Sequence, residues 1–185
     1  MKTGSVLRTS FVCGTTRFIS RDVRPLATDS TPAPRRGQLP LKLRGGKTDV
    51  RGQFAALCWR RTADGEVEVC LITSRRTKRW IVPKGWPMHK QTPAEAAATE
   101  AWEEAGLTGR PVDRCLGVYS YVKPLSKRTT PVVVMVYPLE VMEVSSDWPE
   151  RRERRRKWFP LQAAASKLAE PALRRIVEHF DPTGL

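Results

Sequence analysis

The stretch from Thr92 to Gly106 constrains this chain more than any other, because it carries signals for both ends of one helix. Thr92 supplies an N-cap, Pro93 suits the first helical position, and Glu95 completes a capping box. The alanine-rich run to Ala105 propagates a helix and Gly106 stops it. The same helix then breaks a charge rule. Glu100, Glu103 and Glu104 fall in its last two turns, at spacings of three and four that gather them on one side. A helix C-terminus carries partial negative charge, so each acid there costs a few tenths of a kcal/mol, and Glu100 repels Glu104 by about as much. Carboxylates placed against the local electrostatics suit a hard cation, which takes oxygen ligands together with water and phosphate oxygens. A solvated acidic face is the plain alternative.

The rest of the chain supplies a sheet and a second helical region. Gln53–Trp59 and Glu66–Thr73 read as strands joined by an Asp64-Gly65 hairpin turn, and Trp80–Val82 as a short strand stopped by Pro83. A loop with Gly85, Pro87 and Gln91 leads into the helix. Val112–Val122, Pro131–Val141 and Trp158-Phe159 read as further strands, and Leu161–Phe180 as helix broken at Pro171. Strands mixed with two helical regions predict a layered α/β domain over 47–185. Residues 1–46, rich in Ser, Thr, Arg and Pro, read as a basic disordered tail, with an organellar transit peptide as the alternative.

Charge narrows the partners. A formal net charge of +14 favours a polyanion: a highly phosphorylated small molecule, nucleic acid or an anionic membrane. No apolar run reaches the ~20 residues of a membrane span. Cys13, Cys58, Cys70 and Cys115 form no CxxC pair or zinc spacing and read as thiols of a reducing compartment, which places the protein in the cytoplasm.

From Gly85 to Leu107 the spacing resembles the signature of the Nudix hydrolase family, matched at Gly85, Glu100, Glu103, Glu104, Gly106 and Leu107. Two positions depart. Gln91 stands where the family has Glu, and Thr99 where it has Arg, two residues that tend to pair there. Losing one would strand a charge, whereas losing both exchanges an ion pair for a neutral one. The order of elements from Val50 to Phe180 is similar to the diphosphoinositol polyphosphate phosphohydrolase branch of that family.

The resemblance implies a Nudix-type α/β/α sandwich with a mixed central sheet, and hydrolysis of a phosphoanhydride with Mg²⁺, for which Mn²⁺ substitutes. It implies Glu103 as base, Glu100 and Glu104 as metal ligands, and substrate contacts from Arg51, Arg75 and Arg154; Lys84 and Gly85 are expected at the substrate from their place beside the acidic helix in sequence. A lysine that the branch places before the last helical stretch falls near Glu170 here. Lys84 and Trp86 replace glycines common in animal members. Loop and strand-end cations, among them Arg76, Lys78, Arg79, Lys123, Lys127 and Arg128, suit a crowded polyphosphate. Dinucleoside polyphosphates, ADP-ribose or capped RNA are alternative substrates, and non-catalytic RNA binding by the same fold is a further one. Trp59, Trp80, Trp102, Trp158 and Phe159 are expected as packing aromatics, and Trp86 and Trp148 at the pocket mouth; His89 and His179 are expected at the surface.

Overall fold

The computed structural model describes residues 50–125 and 128–185, so the tail expected over 1–46 and the basic Lys127 lie outside the described residues. Its centre is a mixed sheet in which β1 (Arg51–Arg61) runs parallel to β7 (Arg128–Val144) and antiparallel to β2 (Val67–Thr73). The order β3-β2-β1-β7-β5 is extended by β4 (Lys84–Gly85) on β1, β6 (Gly117–Leu125) on β7 and β8 (Arg156–Pro160) on β2. Here β3 is Trp80–Ile81 and β5 is Leu107–Pro111.

The expected hairpin is present. Gly65 takes a φ of 83°, a left-handed value that a side chain resists, between β1 and β2. The strand expected over 112–122 lacks its first five residues, 112–116, which form no strand. Leu107–Pro111 pairs with the far end of β7 with a bulge at Thr108/Gly109, and a second strand starts at Gly117. Gly109 fits the bulge because a Cβ there would lie 1.9 Å from the Glu140 carbonyl oxygen. The final helical region breaks at Pro171, giving α2 (Leu161–Lys167) and α3 (Pro171–Glu178).

Strand β1 is buried from Gln53 to Trp59, as a strand covered on both faces must be. Its alternate residues feed two cores. Ala55, Leu57 and Trp59 face Val132, Val134 and Val136 together with Ala164, Leu168, Leu173 and Val177 of the α2–α3 layer. Phe54, Ala56 and Cys58 face α1 (Pro93–Ala105), whose inner side is Ala94, Ala96, Ala97, Ala101 and Ala105. Helices on both faces of a mixed sheet make the expected α/β/α sandwich. Side chains this small let α1 lie close to the sheet and keep its carboxylates near the strands. Trp102 departs from expectation: it sits on the outer side of α1, 37% exposed.

Candidate active site

Both ends of α1 are closed, by different means. At the start, the Thr92 hydroxyl accepts from the Glu95 amide at 3.2 Å and the Glu95 carboxylate accepts from the Thr92 amide at 2.7 Å. At the far end, Gly106 is left-handed with φ 63°, and the helix has no basic residue in its last turn. Arg156 of β8 supplies that charge. Its Nη1 donates to the Ala105 carbonyl at 2.5 Å, its Nη2 to the Ser145 carbonyl at 2.6 Å, and its guanidinium lies 4.3 Å from the centre of the Trp148 ring. Trp148 therefore packs under Arg156 and against Gly106 and does not line the pocket.

The three glutamates share one pocket, of about 560 Å³, with Lys84, Gly85, Arg75 and Arg154. Register explains the meeting. Strand β4 pairs Gly85 with Phe54, on the α1 side of the sheet, and Lys84 with Ala55, on the opposite side. Gly85 thus lies against Glu100: a Cβ at this position would fall 1.6 Å from Glu100 Oε1, so only glycine fits. Lys84 is half-buried, and its amide donates to Glu104 Oε2 at 3.1 Å. Burial pulls the Lys84 ammonium below the usual lysine range, against the attraction of Glu104.

The carboxylates differ in their partners. Glu104 is buried and receives Arg154 Nη2; Arg154 Nε donates to Glu150 at 2.5 Å and Nη1 to the Thr73 carbonyl at 3.1 Å. Burial still raises the Glu104 pKa, with Arg154 and Lys84 opposing. Glu100 has no cation at bonding distance among the described residues. Burial first, and then Glu104, Glu103 and Glu150, push it up to about 7. Glu103 is exposed, on the pocket side. Among the described residues neither the Glu100 nor the Glu103 carboxylate has a hydrogen-bond or ion-pair partner, which fits a hard cation. Among the described residues no preformed cluster of three ligands surrounds one point, because Arg154 is the positive charge opposite Glu104.

Of the residues expected to bind substrate, Lys84, Gly85 and Arg75 line the pocket, and Arg51 reaches it at the Trp86 ring, 5.7 Å from the ring centre. Arg75 also faces Glu150 at 3.3 Å and Glu153 at 3.5 Å. Arg154 lines the pocket too, but with its guanidinium committed to Glu104, Glu150 and Thr73. Arg79 pairs with Glu170 at 3.7 Å and Lys78 donates to the Glu153 carbonyl at 2.9 Å. The departure at Gln91 and Thr99 is a neutral contact, the Thr99 hydroxyl donating to Gln91 Oε1 at 3.3 Å. His89 and His179 are exposed, as expected.

Sequence reading missed Glu150, Gln53 and Tyr121. Glu150 precedes Arg154 by four residues, a helix-type pair hidden inside a basic run. Tyr121 donates to Gln53 Oε1 at 2.8 Å on the pocket floor, and only the β1–β7–β6 register brings those two together.

Known proteins are similar to this chain in sequence and in fold. Human diphosphoinositol polyphosphate phosphohydrolase 3-beta is 38% identical over 117 residues, covering 62% of this chain and 66% of that protein. The rat protein named diphosphoinositol polyphosphate phosphohydrolase 2 is 37% identical, over 62% of this chain and 60% of its own length. The chain therefore spans slightly under two thirds of these relatives. Among solved structures, the C. elegans Ap4A hydrolase superposes with a TM-score of 0.51 at 19% identity, covering 70% of this chain and 94% of that one. A NUDIX hydrolase from Nitrosomonas europaea does so with 0.53 at 17% identity, covering 70% and 87%. At such identities these likenesses bear on the fold alone. The NUDIX domain family matches residues 52–180, most of the chain and the whole of the sheet-and-helix unit around this pocket, and the protein belongs to that family.

Proposed function

We propose that the protein is a Mg²⁺-dependent hydrolase of phosphoanhydride bonds, acting on diphosphoinositol polyphosphates or comparably phosphorylated small molecules. The observation that carries this reading is the division of one pocket into two walls. Glu100, Glu103 and Glu104 form an acidic wall on α1, and Lys84, Lys123 and Arg51 approach from strands β4, β6 and β1. A cation on the acidic wall and phosphates on the basic wall meet at an anhydride.

In this reading Glu100 and Glu104 hold Mg²⁺, which when bound offsets phosphate charge and activates a water. Glu103, exposed to the pocket, takes the proton from that water. Lys84 bonds to the phosphate oxygens, and Gly85 keeps the loop close enough to α1 for its backbone to face the substrate. Arg75 adds a charged donor at the rim. Arg154 holds Glu104 in orientation, and if it also reaches substrate it must leave one of its present partners. Cys58, Cys70 and Cys115 are free thiols, which suits action in the cytoplasm.

The relatives favour the diphosphoinositol class, since proteins 37–38% identical to this chain are named for that substrate. Anhydride cleavage of diphosphoinositol pentakisphosphate, diadenosine tetraphosphate, ADP-ribose and capped RNA, followed by chromatography of the products of each with and without Mg²⁺, tests the proposal. Fastest turnover of the diphosphoinositol, abolished by chelation, supports it. Preference for a nucleotide substrate moves the assignment elsewhere in the family, and turnover of none of them refutes it. Activity absent from the wild type but restored by Gln91→Glu with Thr99→Arg would show that the neutral pair disables the site.

A further inference from the structure

Arg51, Lys84 and Lys123 converge from three elements, and among the described residues none of them has a carboxylate at ion-pair distance. Their partners are aromatic rings. Arg51 lies 5.7 Å and Lys123 5.0 Å from the centre of the Trp86 ring, and Lys84 lies 5.7 Å from that of Tyr121. Two arginines over rings elsewhere have a further partner: Arg60, over Trp158, pairs with Glu68 at 2.7 Å, and Arg156, over Trp148, donates to the Ala105 and Ser145 carbonyls. The distinction is chemical. A carboxylate neutralises a cation, whereas a ring attracts it through the quadrupole and leaves its charge and N–H donors free.

Strand register accounts for the convergence. Lys123 stands two residues beyond Tyr121 on β6, so both project from one face, and Arg51 bears the same relation to Gln53 on β1. Tyr121 and Gln53 join across that face by their 2.8 Å hydrogen bond. Trp86, 38% exposed and one residue beyond β4, closes the group from the loop. Gathering like charges without an intervening acid is unfavourable unless an anion spans them.

Resting on the hydrolase reading above, we propose that Trp86 is a specificity-determining positioning residue. Its ring orders Arg51 and Lys123 at the pocket mouth to hold the non-reacting phosphates of a compact, many-phosphate ligand. It does not serve as a stacking platform for a nucleotide base. Two cations already compete for the ring, and a base entering there would have to displace them.

Binding separates this idea from the hydrolase reading, because it needs no turnover. The probes are inositol hexakisphosphate, which has no anhydride, and a methylene-bridged analogue of diadenosine tetraphosphate, each titrated calorimetrically into wild-type protein, Trp86→Ala and Trp86→Phe with Mg²⁺ present. Expected is a loss of about tenfold in inositol hexakisphosphate affinity for Trp86→Ala, with most of it recovered in Trp86→Phe. The analogue's affinity stays within about twofold. Equal or greater weakening of the analogue, an unchanged inositol hexakisphosphate affinity in Trp86→Ala, or wild-type protein that binds neither probe overturns the proposal. The expected pattern in a protein that cleaves no anhydride would leave the Trp86 proposal standing and remove the hydrolase reading alone.

Discussion

The two ends of α1 solve the same problem with residues from different places. At the start, Thr92 and Glu95 satisfy each other's backbone groups within four residues of sequence. At the far end the helix contributes three acids, and the compensating charge arrives some 50 residues later. Arg154 meets Glu104, and Arg156 meets the Ala105 carbonyl. The first end is built for stability. The second is held in place by the rest of the protein, and it retains one carboxylate, Glu100, whose surroundings oppose its ionisation. A helix end stabilised from a distance can keep groups that its own sequence would penalise, and such groups are available for chemistry.

The largest expected effect separates activity from stability at Glu100. Replacing it with Gln should lower kcat/KM by at least ~100-fold, since the proposed metal ligand is removed, while raising the melting temperature. The pKa shift fixes the pH dependence. With Glu100 raised to about 7 from the ordinary carboxylate range, the folded state holds a proton that the unfolded chain releases. In chelator the wild type should therefore lose stability as pH rises from about 5 through 7, and Glu100→Gln should flatten that slope. Mg²⁺ should stabilise the wild type more at pH 8 than at pH 6. Thermal melts across this range check all three points, and a wild type that gains stability over the same interval in chelator would contradict the burial argument.

Next in size is Arg154→Met, which leaves the Glu104 carboxylate buried without its guanidinium and should cost about 3–5 kcal/mol in urea unfolding. A cost under about 1 kcal/mol would place Arg154 outside the support of the helix end, as a surface pair would be. Thr92→Ala, at the opposite end, should cost about 1 kcal/mol and leave kcat and KM at saturating Mg²⁺ unchanged. Loss of activity in this variant without loss of stability would erase the contrast between the ends.

What could be read from the sequence follows the same divide. The capping box, the Gly106 stop, the Gly65 turn and the Pro171 break depend on neighbours within a few residues, and each stands where local rules placed it. The mixture of strands with two helical regions gave the layering. Arg154 was expected from the resemblance as a substrate contact and nothing local singled out Arg156, because their places at the end of α1 depend on the pairing of β8 with β2. That pairing carries a segment after β7 back to the end of α1. Trp102 was expected to pack, but the alanines take the whole inner face of α1 and leave it outside. The strand boundary near residue 112 failed because the bulge at Thr108/Gly109 and the break after Pro111 are set by β7, not by local periodicity. Of the pocket, the glutamates and Lys84 were legible from spacing and position; Gln53, Tyr121 and Glu150 depend on register.

The central claim is that the acid-rich end of α1 performs hydrolysis, with Glu103 as the base. Single-turnover cleavage of diphosphoinositol pentakisphosphate in saturating Mg²⁺, wild type against Glu103→Gln, measures it most directly. Expected is a rate lowered by ~10²–10⁴-fold in the variant with substrate affinity little changed. A Glu103→Gln protein that cleaves at the wild-type rate would contradict it.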